Sequence, residues 1–512
     1  MVNARRDVVA LLFVAGVVGA LGLVACRLGI STCYDLRNYH LYDGWAFWTG
    51  RGDRDFAAAQ LQTYFNPLMA TASYLLLTSL PMWLSAFSLG ALQGANIVPL
   101  YILAGRFLPE SITLRTPLAA LVALAGVCGA IQMRELGGTM ADNLVSIPLL
   151  CAYALIFSAP LDARRVAAAG VLAGISAGLK LAVAPFVLGL LVAPALICAE
   201  RRERSRMTLL VVGSTLGGFL LVDGFWLLHL YREFGNPLYP MFSGLSGGDY
   251  APPFPVRDER FLPHTWMEWL FYPLFWIANP HRISELRFFD LRIPLALLCA
   301  PLLLWRGGDA PMRRPLRALA ATLLIAYSSW LAVFGIFRYL APLEMLAPLV
   351  IVLAIEACVS RNAVRVAAAA LLAIMATTRW ASEPRLGIYD SPFVNIELPA
   401  SVPVQDATIV FAEDQPLAFL ALGFPSSARF VRIAGNFLGP PYPEYAMDRE
   451  ARRRVDAAGG RLYAVLAQPH SAQVAAALAR QNLVLGQSCA PIHSNLLART
   501  DTIQLCPLSA PR

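Results

Sequence analysis

Charge is scarce in this chain of 512 residues, where Asp, Glu, Lys and Arg together make up 14%, against about 25% in an ordinary soluble domain. Hydrophobic residues make up 57%, which excludes a soluble globular enzyme and points to a polytopic membrane protein. Metal and redox motifs are lacking too. The nine cysteines form no C-x-x-C pair, and the histidines, His40, His229, His264, His281, His470 and His493, lie far apart, so no metal site is expected. From residue 379 onward there is no nucleophile elbow, phosphate loop or dinucleotide fingerprint, and no cofactor is expected. No fixed-period repeat is evident, which counts against an inverted-repeat transporter.

The charge that is present is patterned. The net charge of +8 comes from arginines in the links between apolar runs: Arg5 and Arg6, Arg164 and Arg165, the cluster 201–206, and Arg306, Arg313, Arg314 and Arg317. That placement reads as topology signals and attraction to anionic lipid, not as a nucleic-acid surface. The apolar runs are 8–30, 83–107, 116–133, 144–159, 166–179, 181–198, 208–230, 293–305, 318–334, 340–358 and 363–378. Placing every arginine-rich link in the cytoplasm gives about eleven spans, a cytoplasmic N-terminus and an extracytoplasmic C-terminus. The apolar stretch 66–80 is short for a span and reads as re-entrant or interfacial. The aromatic run 264–280 suits the outer headgroup level.

From residue 379 the composition changes. ATIVFA, ARFVRIAG and GRLYAVLA read as short buried strands, and EARRRVDAAG and SAQVAAALARQN as helices. The expected fold is therefore an all-α polytopic membrane bundle over 1–378 with a small extracytoplasmic α/β domain over 379–512. Cys489 and Cys506 lie in that polar tail, where a disulfide would persist if the tail is outside the cytoplasm.

The candidate chemistry begins in 31–66, STCYDLRNYHLYDGWAFWTGRGDRDFAAAQLQTYFN, a polar and aromatic string directly after the first run. Asp35 is placed to take a proton from an attacking hydroxyl, among Arg37, Asn38, Tyr39 and His40. Tyr39, Trp45, Trp48 and Tyr64 are candidates for stacking on sugar faces, although aromatics at this depth also serve as interface anchors. A second exterior link carries Glu135 and Asp142, either of which could share a site with Asp35. Asp142 is equally suited to capping the helix that follows. Lys180 at a helix tip, and Arg338 with Tyr339 before a late span, are candidates for a phosphate, snorkelling to lipid headgroups being the alternative for the two cations. Charged groups in a membrane bundle would also fit a transporter or flippase of lipid-linked saccharides, and a non-catalytic assembly protein is a further alternative.

An Asp in the first exterior loop, a second acid-bearing exterior loop, a Lys at a helix tip and an Arg-Tyr before a late span together resemble the GT-C superfamily of polytopic membrane glycosyltransferases. That group includes protein O-mannosyltransferases and the lipid A aminoarabinose transferase. The resemblance covers 1–378. It implies a multi-pass protein of a bacterial inner membrane that takes sugar from a polyprenyl-phosphate donor and transfers it, with inversion, on the outer face. It further implies Asp35 in the catalytic position and Asp142 or Glu135 in the second acidic one. Many relatives show two adjacent acids in the first loop, whereas Leu36 follows Asp35 here, which favours a metal-free base over a divalent cation.

Overall fold

The computed structural model describes residues 2–509 except 113, 159, 243–247, 307–311, 360–361, 389–391, 459 and 499. The side chains of 2–6 and 306 lie outside that description, so the topology arginines Arg5, Arg6 and Arg306 do too. Every apolar run of the sequence contains a helix. In a membrane the backbone amides must be satisfied within the segment, and an apolar run without water to bond has no cheaper solution. Among the described residues five helices are long and apolar enough to cross a membrane, by length and composition: Asp7–Leu28, Met82–Phe107, Arg201–Phe234, Arg313–Val333 and Phe337–Cys358. Shorter apolar helices include Arg115–Val127, Asp142–Ile156 and Ala363–Thr377. The stretch 66–80 forms the helix Leu68–Ser79, and the aromatic run forms Trp266–Ala278.

The chain divides into two compact units. The helical unit comprises 1–28, 86–224 and 257–383. At its centre is the helix Ala341–Cys358, in which every side chain from Ala341 to Ala354 is buried. Small residues allow close helix approach: a Cβ on Gly174 of Ala163–Leu179 would strike the Thr215 carbonyl of the neighbouring helix. The short helix Ala130–Glu135 is fixed at its start by carboxylates, because its first amides have no helical partner. Glu344 accepts from Ile131 N at 3.0 Å and from Gln132 N at 3.2 Å, and Asp290 accepts from Ala130 N at 3.0 Å. Gly129 is needed before this helix, since a Cβ there would occupy the place of the Glu344 carboxylate. Arg292, fully buried, balances Asp290 at 2.6 Å. These bonds position Glu135 at the far end of the same helix.

The sheet unit comprises 29–85, 225–256 and 384–512. The compositional division expected at 378/379 falls five residues from the boundary at 383/384, but the segments 29–85 and 225–256 join the tail. The sheet runs in the order Ile396–Glu397, Ala490–Ser494, Ile503–Ser509, Leu462–Leu466, Thr408–Phe411 and Arg429–Arg432, with Val484–Leu485 paired to Ile503–Ser509. Thr408–Phe411 is parallel to both of its neighbours and wholly buried, which explains its unbroken apolar sequence. The helices Ala446–Asp456 and Ala472–Arg480 turn Ala451, Val455, Val474, Ala477 and Leu478 into the core of this unit. Cys489 and Cys506 are joined by a disulfide.

The first loop is built onto this sheet. Ile30–Ser31 pairs with Arg385–Leu386. Phe56 continues the sheet by one residue: Phe56 N donates to Phe430 O at 2.8 Å, and Arg432 N donates to Phe56 O at 3.0 Å. Arg51, paired with Asp55 at 2.6 Å, also donates to the carbonyls of Ser426 and Ala428. Arg432, fully buried, donates from Nε to Ala58 O at 2.9 Å and from Nη1 to Glu413 O. Burial pushes the pKa of its guanidinium down to about 10, against the opposing pull of Tyr34 and Glu413.

Candidate functional site

Each unit gathers a subset of the candidate residues. In the helical unit, Glu135 ends its short helix and Asp142 begins the helix Asp142–Ile156, whose N-cap position is held by Ala141 at φ 67°. Asp142 therefore stands at the first helical position, and the cap makes no side-chain hydrogen bond. Lys180 lies between the helix Ala163–Leu179 and the turn Leu181–Val183. Its ammonium is 2.8 Å from Asp142 Oδ1 and donates to the Met140 carbonyl. Arg338 and Tyr339 lie in the turn Phe337–Leu340, ahead of the central helix. The Arg338 Nη1 donates to Met140 Sδ at 2.7 Å, and its guanidinium carbon lies 5.2 Å from the Tyr339 ring centre. Lys180 Nζ lies 5.6 Å from the same ring.

The five helical-unit candidates, Glu135, Asp142, Lys180, Arg338 and Tyr339, thus share one neighbourhood assembled around the link 136–141. Neutral amides missed in the sequence complete it. Gln93 donates to the carbonyls of Glu135 and Gly138 and accepts from Gly137 N, and Asn143 N donates to Glu135 Oε2 at 3.3 Å. Nothing in their local sequence marks these amides, which lie in apolar runs or beside them.

Burial holds the Glu135 carboxyl well above the usual carboxylate range; the neighbouring Asp142 adds to this, while Lys180 and Arg338 pull against it. Glu135 therefore holds its proton more tightly than an ordinary carboxyl, and the Asp142 carboxylate is paired with Lys180. Among the described residues no three His, Cys, Asp or Glu side chains are arranged to hold a metal ion.

In the sheet unit, Asp35 caps a π-helical turn, Leu36–His40, that leads directly into the helix Leu41–Trp48. Asp35 is half-buried and accepts from the Tyr39 hydroxyl at 3.5 Å. The buried His40 ring lies 4.2 Å from that of Tyr39. Arg37 is 3.9 Å from Asp501 at a cleft of about 490 Å³ lined by Glu397, His493, Ser494 and Asn495. Asn38, fully buried, donates to Ala59 O at 3.2 Å and to Gln62 Oε1 at 3.3 Å. Tyr64 is buried in the core of the unit, its ring edge-on to Phe234, Tyr239 and Phe437. That is a packing position with no open ring face. Trp45 carries the Arg51 guanidinium at 4.7 Å, and Trp48 is exposed.

No protein-family model matches the chain, and no curated protein matches it by sequence. Among solved structures, it is similar to ArnT from Cupriavidus metallidurans bound to undecaprenyl phosphate, with a TM-score of 0.53 over 97% of each chain. The chain has the GT-C fold. At 13% identity the likeness is one of fold, and the roles of individual side chains rest on their own geometry. The GT-C fold accounts for both the helical unit and the sheet unit, since the alignment omits almost none of the chain.

Proposed function

We propose that this protein is a membrane glycosyltransferase that moves a sugar from a polyprenyl-phosphate-linked donor to a lipid, glycan or protein acceptor on the outer face of a bacterial inner membrane. The observation that carries the reading is the GT-C fold over nearly the whole chain, shared with a protein whose structure holds undecaprenyl phosphate. The proposed topology has about eleven spans, a cytoplasmic N-terminus and an external tail. The Cys489–Cys506 bond supports the external tail, because such bonds persist in oxidising compartments.

In this reading the donor's isoprenoid tail lies in the bilayer and its phosphate is received by Lys180 and Arg338. The ammonium of Lys180 is ion-paired with Asp142 and donates to the Met140 carbonyl, and a further donor of its three is assigned to a phosphate oxygen. Asp35 is assigned the part of base. The acceptor hydroxyl attacks the anomeric carbon opposite the phosphate, a new C–O bond forms as the bond to the phosphate oxygen breaks, and the acceptor's proton passes to Asp35. The leaving phosphate keeps the bonding electron pair and is stabilised by fixed cations. The configuration at the anomeric carbon inverts. Glu135, whose carboxyl burial holds above the usual range, is assigned a supporting place beside Asp142 and not the part of a second base. No step calls for a divalent cation.

The test compares polyprenyl-linked sugars and envelope glycans in cells with the chain, without it, and with it carrying Asp35→Asn. The expected result without the chain is an accumulating polyprenyl-linked sugar and a missing decoration, restored by the unaltered chain and not by D35N. Unchanged profiles in cells lacking the chain would overturn the reading.

A further inference from the structure

The turn that carries Asp35 is π-helical, a conformation that is rare, seldom longer than a single turn, and common at functional sites. Five residues of such a turn do not hold their own geometry, so something outside must. On either side of Asp35 stand Tyr34 and Asn38, and both are bonded to one side chain, that of Gln60. Gln60 Nε2 lies 2.7 Å from Tyr34 Oη and 3.2 Å from Asn38 Oδ1, and it also donates to the Asp414 carbonyl at 2.9 Å. The Tyr34 hydroxyl donates to that same carbonyl at 2.9 Å. At the other end of the amide, Gln60 Oε1 accepts from Asn436 N at 2.7 Å. The Asn436 side chain in turn accepts from Leu61 N at 3.1 Å and donates to Gln62 Oε1 at 3.2 Å.

One fully buried amide therefore ties the two neighbours of Asp35 to two points of the tail more than 350 residues away. Gln60 also sits at φ 62°, in the left-handed region. A non-glycine residue is disfavoured there and persists only where its surroundings over-determine it. The node needs a donor at one end and an acceptor at the other, without a charge. Ionised Glu offers acceptors only, and Met offers no donor and only a weak acceptor.

We infer that Gln60 is a positioning residue for Asp35, and that the tail contributes to catalysis by holding Gln60. The inference rests on the base role given to Asp35 above, but its structural half is measured without any turnover. Hydrogen exchange on the full-length protein in detergent reads the protection of residues 34–41 in the wild type, Gln60→Met, Gln60→Glu and Asn436→Ala. The titratable and charged groups facing the node are Tyr34, Asp35, Glu413, Asp414 and Arg432.

Protection of 34–41 is expected to fall in Q60M at every pH. In Q60E it is expected to fall at neutral pH and return as pH drops, because a protonated carboxyl again presents one donor and one acceptor. A side chain that merely filled space would give no such recovery. In complemented cells the rate of precursor consumption, per amount of folded protein, should drop about 10- to 100-fold in Q60M, the scale of effect of a small misplacement of a reacting group. Wild-type protection and rate in Q60M would overturn the inference. Should Q60M fail to fold, N436A decides it: loosened 34–41 with unchanged thermal melting supports it, and unchanged protection overturns it. A fully active Q60M beside an inactive D35N would sink this inference alone. A fully active D35N would sink the base role, while loosened 34–41 in Q60M would still establish the hold.

Discussion

In the helical unit Asp142 is held by a charge, the ammonium of Lys180 at 2.8 Å, whereas in the sheet unit the turn bearing Asp35 is held by the neutral amides of Gln60 and Asn38. The difference follows from burial. Asp142 has almost no exposed surface, and an ionised carboxylate in that position is stable only when paired. Asp35 is half-buried, and the bonds that hold its turn run from Gln60 to Tyr34 and Asn38. The first arrangement suits a carboxylate buried beside a cation, and the second suits the part of base proposed for Asp35.

The contrast is broken most sharply at its catalytic pole. Asp35→Asn should lower the rate of sugar transfer by about 10²- to 10⁴-fold, the usual contribution of a general base, while the thermal midpoint in detergent stays within a few degrees. A large loss of stability instead would mean that Asp35 is held as tightly as Asp142. Next in size is Lys180→Met, which leaves Asp142 buried without its partner and should destabilise the protein by about 3 kcal/mol or more. Lys180→Met combined with Asp142→Asn should recover most of that loss in thermal melting, and no such rescue is expected if the pair contributes little.

Reduction of the disulfide, or Cys489→Ser, should cost about 3 kcal/mol by releasing a loop of 17 residues. Limited proteolysis should show the loss within the sheet unit, with the helical unit unaffected. The smallest effect concerns pH. The folded-state pKa of Glu135 is raised above its ordinary value of 4.5, so its contribution is complete below that value and is lost as pH rises through the folded pKa. Glu135→Gln should therefore flatten the fall in melting temperature as pH is raised above about 4.5. An unaltered slope would show that the proton is not held on Glu135.

Much of the architecture was legible because hydropathy and chain-local patterns encode it. The eleven apolar runs are helices, and the strands expected in ATIVFA, ARFVRIAG and GRLYAVLA are Thr408–Phe411, Arg429–Arg432 and Leu462–Leu466. The acids and cations of the helical unit were legible as residue types at exposed-looking tips, but their partners were not. Lys180 was expected at a phosphate, and nothing in either stretch of sequence announces that its ammonium meets Asp142. Least legible was the union of the first loop with the tail. It is made by backbone carbonyls such as those of Phe430 and Asp414 and by neutral amides such as Gln60 and Asn436, groups that every polar stretch contains. Tyr64 illustrates the same limit: an aromatic in a polar string looks like a sugar platform until its core neighbours Phe234 and Tyr239 are known.

The pairing of Gln60 with Asp414 spans 354 positions of the chain. At a synthesis rate of about 5–20 residues per second, the loop leaves the ribosome roughly 20–70 s before the Asp414 carbonyl that will anchor it. During that interval the loop lacks both the Asp414 carbonyl and the Asn436 amide that hold Gln60.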